Sequence, residues 1–124
     1  MQLHLERPDY AYFLRGADGA SALVNDRTLR RSFCVSPDTL LEDWPWHDAS
    51  TLPPEALEPL FALQPELIVL GTGAAQAFPP PVTLAAALGR GVGLEAMTNA
   101  AAARTYSVLA GEGRRVVAAF LLQD

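Results

Sequence analysis

The sequence predicts a single-domain α/β fold, a mixed β-sheet layered with helices, with an added N-terminal β-hairpin region. Two short, wholly apolar runs, LIVL (67–70) and VVAAFLL (116–122), are bounded by Pro, Gly and charged residues. Such runs mark strands covered on both faces. They alternate with helical signals, giving the order strand, helix, strand, helix, strand from residue 67 onward, the pattern of an α/β sheet layered with helices. The length of 124 residues accommodates one domain, residues 1–124, with half its residues hydrophobic. That is enough apolar material for a core without a metal or a disulfide.

The elements follow in order. YAYFLRG (10–16), SALVN (21–25) and TLRRSFCV (28–35) read as strands, joined by turn chemistry at Ala17-Asp18-Gly19-Ala20 and Asn25-Asp26. They are expected to extend the sheet and make it mixed. Ser36-Pro37-Asp38 breaks the third of them, and Pro45 makes the acidic, aromatic LLEDWPWHD (40–48) poor helix. Thr51-Leu52-Pro53-Pro54 opens a helix signal, with Thr51 as cap and Glu55 near the positive end; Leu57, Leu60 and Phe61 share a face, and the helix ends near Leu63.

After LIVL and its glycines, VTLAAAL (82–88) is a short helix closed by Gly89 and Gly91, and VGLEAM (92–97) is the next strand. NAAAARTYSVLA (99–110) is a helix with Thr98 as N-cap and Gly111 and Gly113 as stops. Helical spacing puts Ala101, Ala102, Thr105, Val108 and Leu109 on its inner face, Tyr106 on the flank, and Ala100, Ala103, Arg104 and Ser107 outward. The last apolar strand is expected in the interior of the sheet.

Charge and composition exclude several functions. The formal net charge is −5, every basic residue is arginine, and residues 32–89 hold seven acids and no Arg or Lys. A nucleic-acid binder needs a basic face, which this chain lacks. The single cysteine, Cys34, fits a reducing compartment. No apolar run approaches the ~20 residues of a membrane span. MQLHLERPDY (1–10) lacks both a signal-peptide core and the character of a mitochondrial presequence. The expected setting is therefore the cytoplasm, with the protein not embedded in a membrane.

The stretch with most chemical promise is LIVLGTG (67–73), which resembles the start of a dinucleotide fingerprint. The fingerprint needs Gly-x-Gly-x-x-Gly opening a helix. Here Gln76 stands at the third glycine, Phe78-Pro79-Pro80-Pro81 follows, and no Gly-Lys-Ser/Thr completes a phosphate loop. What survives is a crevice beyond the carboxyl ends of two parallel strands, at Gly71, Thr72, Gly73, Met97 and Thr98, beside the helix start at Asn99. The plainer reading is a tight turn and a helix cap.

His4 and His47 are the only imidazoles; His47 beside Asp43 and Asp48 makes a poor metal site, so neither a metal nor a cofactor is expected. Cys34 lies in a strand without a neighbouring His and reads as inert. No Gly-x-Ser-x-Gly elbow is present, and no catalytic set is assigned. Trp44 and Trp46, in the acidic stretch, read either as anchors for a protein partner or as a lid over the domain's own core.

PELIVLGTG (65–73), EAMTNAAAARTYSVLAGEGRRVVAAFL (95–121) and FCVSPDTLLEDW (33–44) together resemble the domain-of-unknown-function 498 family, whose members include the mitochondrial NADH dehydrogenase (complex I) assembly factor 3. The Gly71-Thr72-Gly73 turn, Arg104-Thr105-Tyr106 and Glu112-Gly113-Arg114 carry most of the likeness. The resemblance implies a three-layer fold with a mixed sheet, and adds Arg104, Thr105 and Tyr106 to the candidate crevice. For function it implies binding to a protein partner, such as subunits of a respiratory complex, without catalysis. The chain departs from the family pattern at Thr98-Asn99, where Asp-Thr is usual, at Ala103, where Cys is common, and at Ser107, where Asn is common. The rival expectation is a small-molecule-binding or enzymatic domain using the crevice at the glycine turn.

Overall fold

The computed structural model describes residues 10–123. A small antiparallel sheet comes first, with β1 (Leu14–Ala17), β2 (Ala22–Val24) and β3 (Arg27–Leu29) adjacent in that order. Asp18 makes the first turn, its Oδ1 accepting the Ala20 and Ser21 N–H groups at 2.8 Å each. Those bonds hold its carboxyl below the usual carboxylate range. At the second turn Asn25 takes φ +53°, a left-handed conformation that Asn tolerates, and its Oδ1 accepts the Phe13 N–H at 2.9 Å.

The main sheet follows: β4 (Phe33–Val35), β5 (Leu40–Leu41), β6 (Leu67–Gly71), β7 (Gly93–Met97) and β8 (Val116–Phe120). Its order is β5-β4-β8-β6-β7. β6 pairs parallel with β7 and β8, while β4 runs antiparallel to β8 and β5. The sheet is thus mixed, and the long apolar last strand is interior, as its composition predicts. Short helical pieces, 3-10 turns at Ala49–Thr51 and Pro54–Leu57 and one α-turn, α1 (Glu58–Phe61), precede β6; α2 (Pro81–Gly89) and α3 (Asn99–Gly111) make the crossovers.

Strand alternation divides the core into two layers. Phe33, Val35, Val69, Val116, Ala118 and Phe120 pack under α3 and the small sheet, with the Phe33 and Phe120 rings stacked at 5.0 Å. Cys34, Ile68, Leu70, Val117 and Ala119 face the other way, with the helical pieces and α2. Burial pushes the Cys34 thiol far up from its ordinary value. Since thiolate is the reactive form, Cys34 is expected to resist a thiol reagent in the folded protein and to react on unfolding. Rapid labelling under native conditions would contradict its placement.

Several expectations are corrected. The strands at the N-terminus form a sheet of their own and do not all extend the main one; only β4 and β5 do so. The run 28–35 splits because Ser32, fully buried, turns out of strand geometry: its Oγ accepts the Leu122 N–H at 2.9 Å and its carbonyl accepts the Trp44 N–H at 2.9 Å. The expected helix from Thr51 to Leu63 is broken into turns, and Asp48, not Thr51, caps the first by accepting the Ser50 N–H. On α3 the buried face is Asn99, Ala102, Ala103, Tyr106 and Ala110, whereas Val108 is 60% exposed. The helix packs against β1 as well as against β6 and β8, so its inner face is rotated toward the small sheet. Tyr106 sits at that contact, its hydroxyl donating to the Tyr12 carbonyl at 2.6 Å and its ring edge-on to Tyr10. Burial, first of all, raises its phenol above the usual range.

Candidate functional site

β6 and β7 are parallel neighbours, and Gly71 pairs with Met97 at their carboxyl ends. The structure therefore brings Gly71, Thr72, Gly73, Met97 and Thr98 together. Thr98 caps α3, its Oγ1 accepting the Ala101 N–H at 3.2 Å. Thr72 donates its N–H to the Met97 carbonyl at 2.8 Å, and its Oγ1 lies 2.8 Å from the Ala75 carbonyl oxygen and accepts the Ala77 N–H at 3.1 Å. Thr105 reaches the group from the next turn of α3, its hydroxyl 3.3 Å from the Met97 Sδ. Arg104 is exposed on α3, and Tyr106 turns to the N-terminal segment, away from the glycine turn.

The residue at the centre of this end of the sheet is one that sequence reasoning missed. Asn99 is fully buried at the first position of α3. Its Oδ1 accepts the Gly73 N–H at 3.1 Å, and its Nδ2 donates to the Asp18 and Leu121 carbonyls at 2.8 and 2.9 Å. Its own N–H donates to the Gly73 carbonyl at 2.9 Å. One side chain thus ties together the ends of β6 and β8, the β1–β2 turn and the start of α3. Both side-chain donors are engaged, and no described buried side-chain polar atom lacks a partner.

The two glycines serve this arrangement for different reasons. A Cβ on Gly71 would collide with Asn99 Oδ1 and lie 3.0 Å from Phe120 Cδ1, so the position needs the space. Gly73 has room for a side chain but takes φ +102°, which L-residues rarely adopt. The available signal in the sequence is an Asn, a weak helix former, directly after the helix cap Thr98.

The tryptophans divide. Trp44 is 5% exposed and its Nε1 donates to the Ala56 carbonyl at 3.0 Å, so it serves as the lid over the domain's own core. Trp46 packs on the same core layer while remaining partly exposed. His47 is held by the Leu122 carbonyl oxygen, 3.1 Å from its Nδ1, and Asp43 and Asp48 engage Arg31 and Ser50. Among the described residues no cluster of His, Cys, Asp and Glu could hold a metal ion; His4 lies outside them. No described helix is long and apolar enough to cross a membrane.

The most exposed apolar side chains lie elsewhere, around α2. Phe78, Val82 and Leu88 are 65%, 63% and 78% exposed. Pro81 and Ala85 are exposed beside them, and residues 67–89 contain no charged side chain.

These features define a three-layer α/β domain with a mixed sheet, closed at the carboxyl ends of its parallel strands by an asparagine-centred hydrogen-bond lock. Residues 15–121 match the family described as Protein of unknown function (DUF498/DUF598), and the chain belongs to that family. An NMR structure of a Xanthomonas campestris protein is 54% identical, with a TM-score of 0.83 over 98% of this chain and 92% of that one. A crystal structure of a Bordetella parapertussis protein is 32% identical, with a TM-score of 0.84 over 94% of this chain and 100% of that one. A Bordetella pertussis protein described as a Mth938-like domain is 28% identical, with a TM-score of 0.82 over 98% of this chain and 92% of that one. No curated protein matches the chain.

Proposed function

We propose that this domain is a non-enzymatic, cytoplasmic protein-binding module whose docking face is the outer side of α2. The observation that carries the reading is that Val82 and Leu88 on α2, and Phe78 just before it, are all exposed in a stretch of chain without a charged residue. A helix that is apolar all round is normally buried, and contiguous exposed apolar surface marks an interaction site. Trp46, partly exposed, lies on the same side of the main sheet. The finer form of the proposal, service in assembly of a respiratory complex, rests on the resemblance to the mitochondrial branch of the family and is an analogy from fold to role. The rival, a small molecule bound at the Gly71-Thr72-Gly73 turn, has less support. There the Asn99 amide and the Thr72 hydroxyl are already engaged within the domain.

A photo-crosslinking residue in place of Leu88 tests the docking face in the native host, with the same residue at Arg15 on the small sheet as the control. The expected result is a discrete adduct with a respiratory-complex subunit at Leu88 and none at Arg15. Equal labelling at both positions would refute the assignment of the face.

A further inference from the structure

The carboxyl ends of the parallel strands are closed, but their amino ends are open. Leu67 pairs with Gly93 on one side and Val116 on the other, so β6, β7 and β8 begin level. The connections entering them therefore meet. They place Phe61, Gln64 and Pro65 with Arg90, Val92 and Arg115 around an open depression of about 390 Å³. That volume lies in the range of small-molecule sites.

Among the described residues the lining holds two guanidinium groups and no carboxylate. Arg90 is fixed in place, lying 4.5 Å over the Phe61 ring and 3.3 Å from Glu58. Glu66, next to Pro65, is engaged by Arg114 at 2.7 Å. Among the described residues no carboxylate pairs with Arg115. Glu58 balances the charge of Arg90, so among the described residues the uncompensated charge at the depression is that of Arg115, in a chain of net charge −5. A guanidinium is a planar fork that fits phosphate or carboxylate oxygens.

We propose that this depression binds a small molecule bearing an oxyanion on a flat apolar group. Arg115 receives the oxyanion with Arg90 in support, and the partly exposed Phe61 and Val92 supply the apolar wall. The site begins at Arg90, the residue that follows α2, and does not depend on the outer face of that helix having a partner.

The test is an amide NMR titration of the full chain with four probes: inorganic phosphate, phenyl phosphate, benzoate and benzylammonium. The expected result is saturable shifts with phenyl phosphate or benzoate at residues 63–66, 91–93 and 115, and none with benzylammonium. Saturation by inorganic phosphate as strong as by phenyl phosphate would support the oxyanion and overturn the role of the apolar wall. Arg115→Gln is expected to weaken binding about tenfold or more, the equivalent of one lost charge-assisted hydrogen bond, while Arg15→Gln leaves it unchanged. The Arg115 side chain is exposed and its carbonyl still accepts the Glu66 N–H, so the variant is expected to fold. No saturation with any anion, or undiminished affinity in Arg115→Gln, would overturn the site.

Discussion

Asn99→Leu is expected to destabilise the domain by roughly 3–5 kcal/mol, because each buried group left without a hydrogen-bond partner costs about 1–3 kcal/mol. The Gly73 N–H and the Asp18 and Leu121 carbonyls all lose the Asn99 amide. Leucine is similar in size but can neither accept nor donate. Small domains are stable by only about 5–15 kcal/mol in total, so the loss is a large share. Urea unfolding measures it directly, and a change below about 1 kcal/mol would show that the lock contributes little.

Gly71→Ala is the companion test, with an expected loss of roughly 2–3 kcal/mol from overpacking. The added methyl meets Asn99 Oδ1, Phe120 Cδ1 at 3.0 Å and Ala102 Cβ at 3.3 Å. The aromatic neighbour is stacked on Phe33 and the amide is held by its hydrogen bonds, so neither yields easily. Because the two positions share a contact, the double variant Gly71→Ala, Asn99→Leu is expected to lose less than the sum of the single losses. Strict additivity would mean that Gly71 is small for a reason unrelated to Asn99.

The parallel half of the fold was legible in the sequence because burial on both faces leaves unbroken apolar runs. LIVL and VVAAFLL announce buried strands without reference to anything distant, and Thr98 announces a helix start by local chemistry. The N-terminal half was less legible. Its strands are three or four residues long, too short for alternation to state which sheet they join. The inner face of α3 was misassigned because spacing alone orders a helix by hydrophobicity, whereas the small sheet selects Ala103 and Tyr106 and leaves Val108 outside.

The candidate crevice shows the same limit. The sequence brought the right strand ends together, since Gly71 and Met97 are partners in the sheet. It did not reveal Asn99, whose hydrogen bonds span 22, 26 and 81 positions of chain. The amino-end depression was equally hidden, because Phe61, Arg90 and Arg115 come from three separate connections. Trp44 drew notice as an aromatic in an acidic stretch, and only the tertiary contact with Ala56 shows that it lines the core.

Under the proposed function, partners are recognised at the outer face of α2 and not at the glycine turn. The most direct measurement is crosslinked affinity purification from the native organism, quantified by mass spectrometry, with the wild type, Val82→Glu with Leu88→Glu, and Thr72→Val compared side by side. Both glutamates replace exposed side chains, so the double variant is expected to fold, which its Tm checks. The expected result is that the wild type enriches respiratory-complex subunits, and that this enrichment disappears with the double variant and persists with Thr72→Val. Retention by the double variant together with loss on Thr72→Val would contradict it and return the function to the crevice.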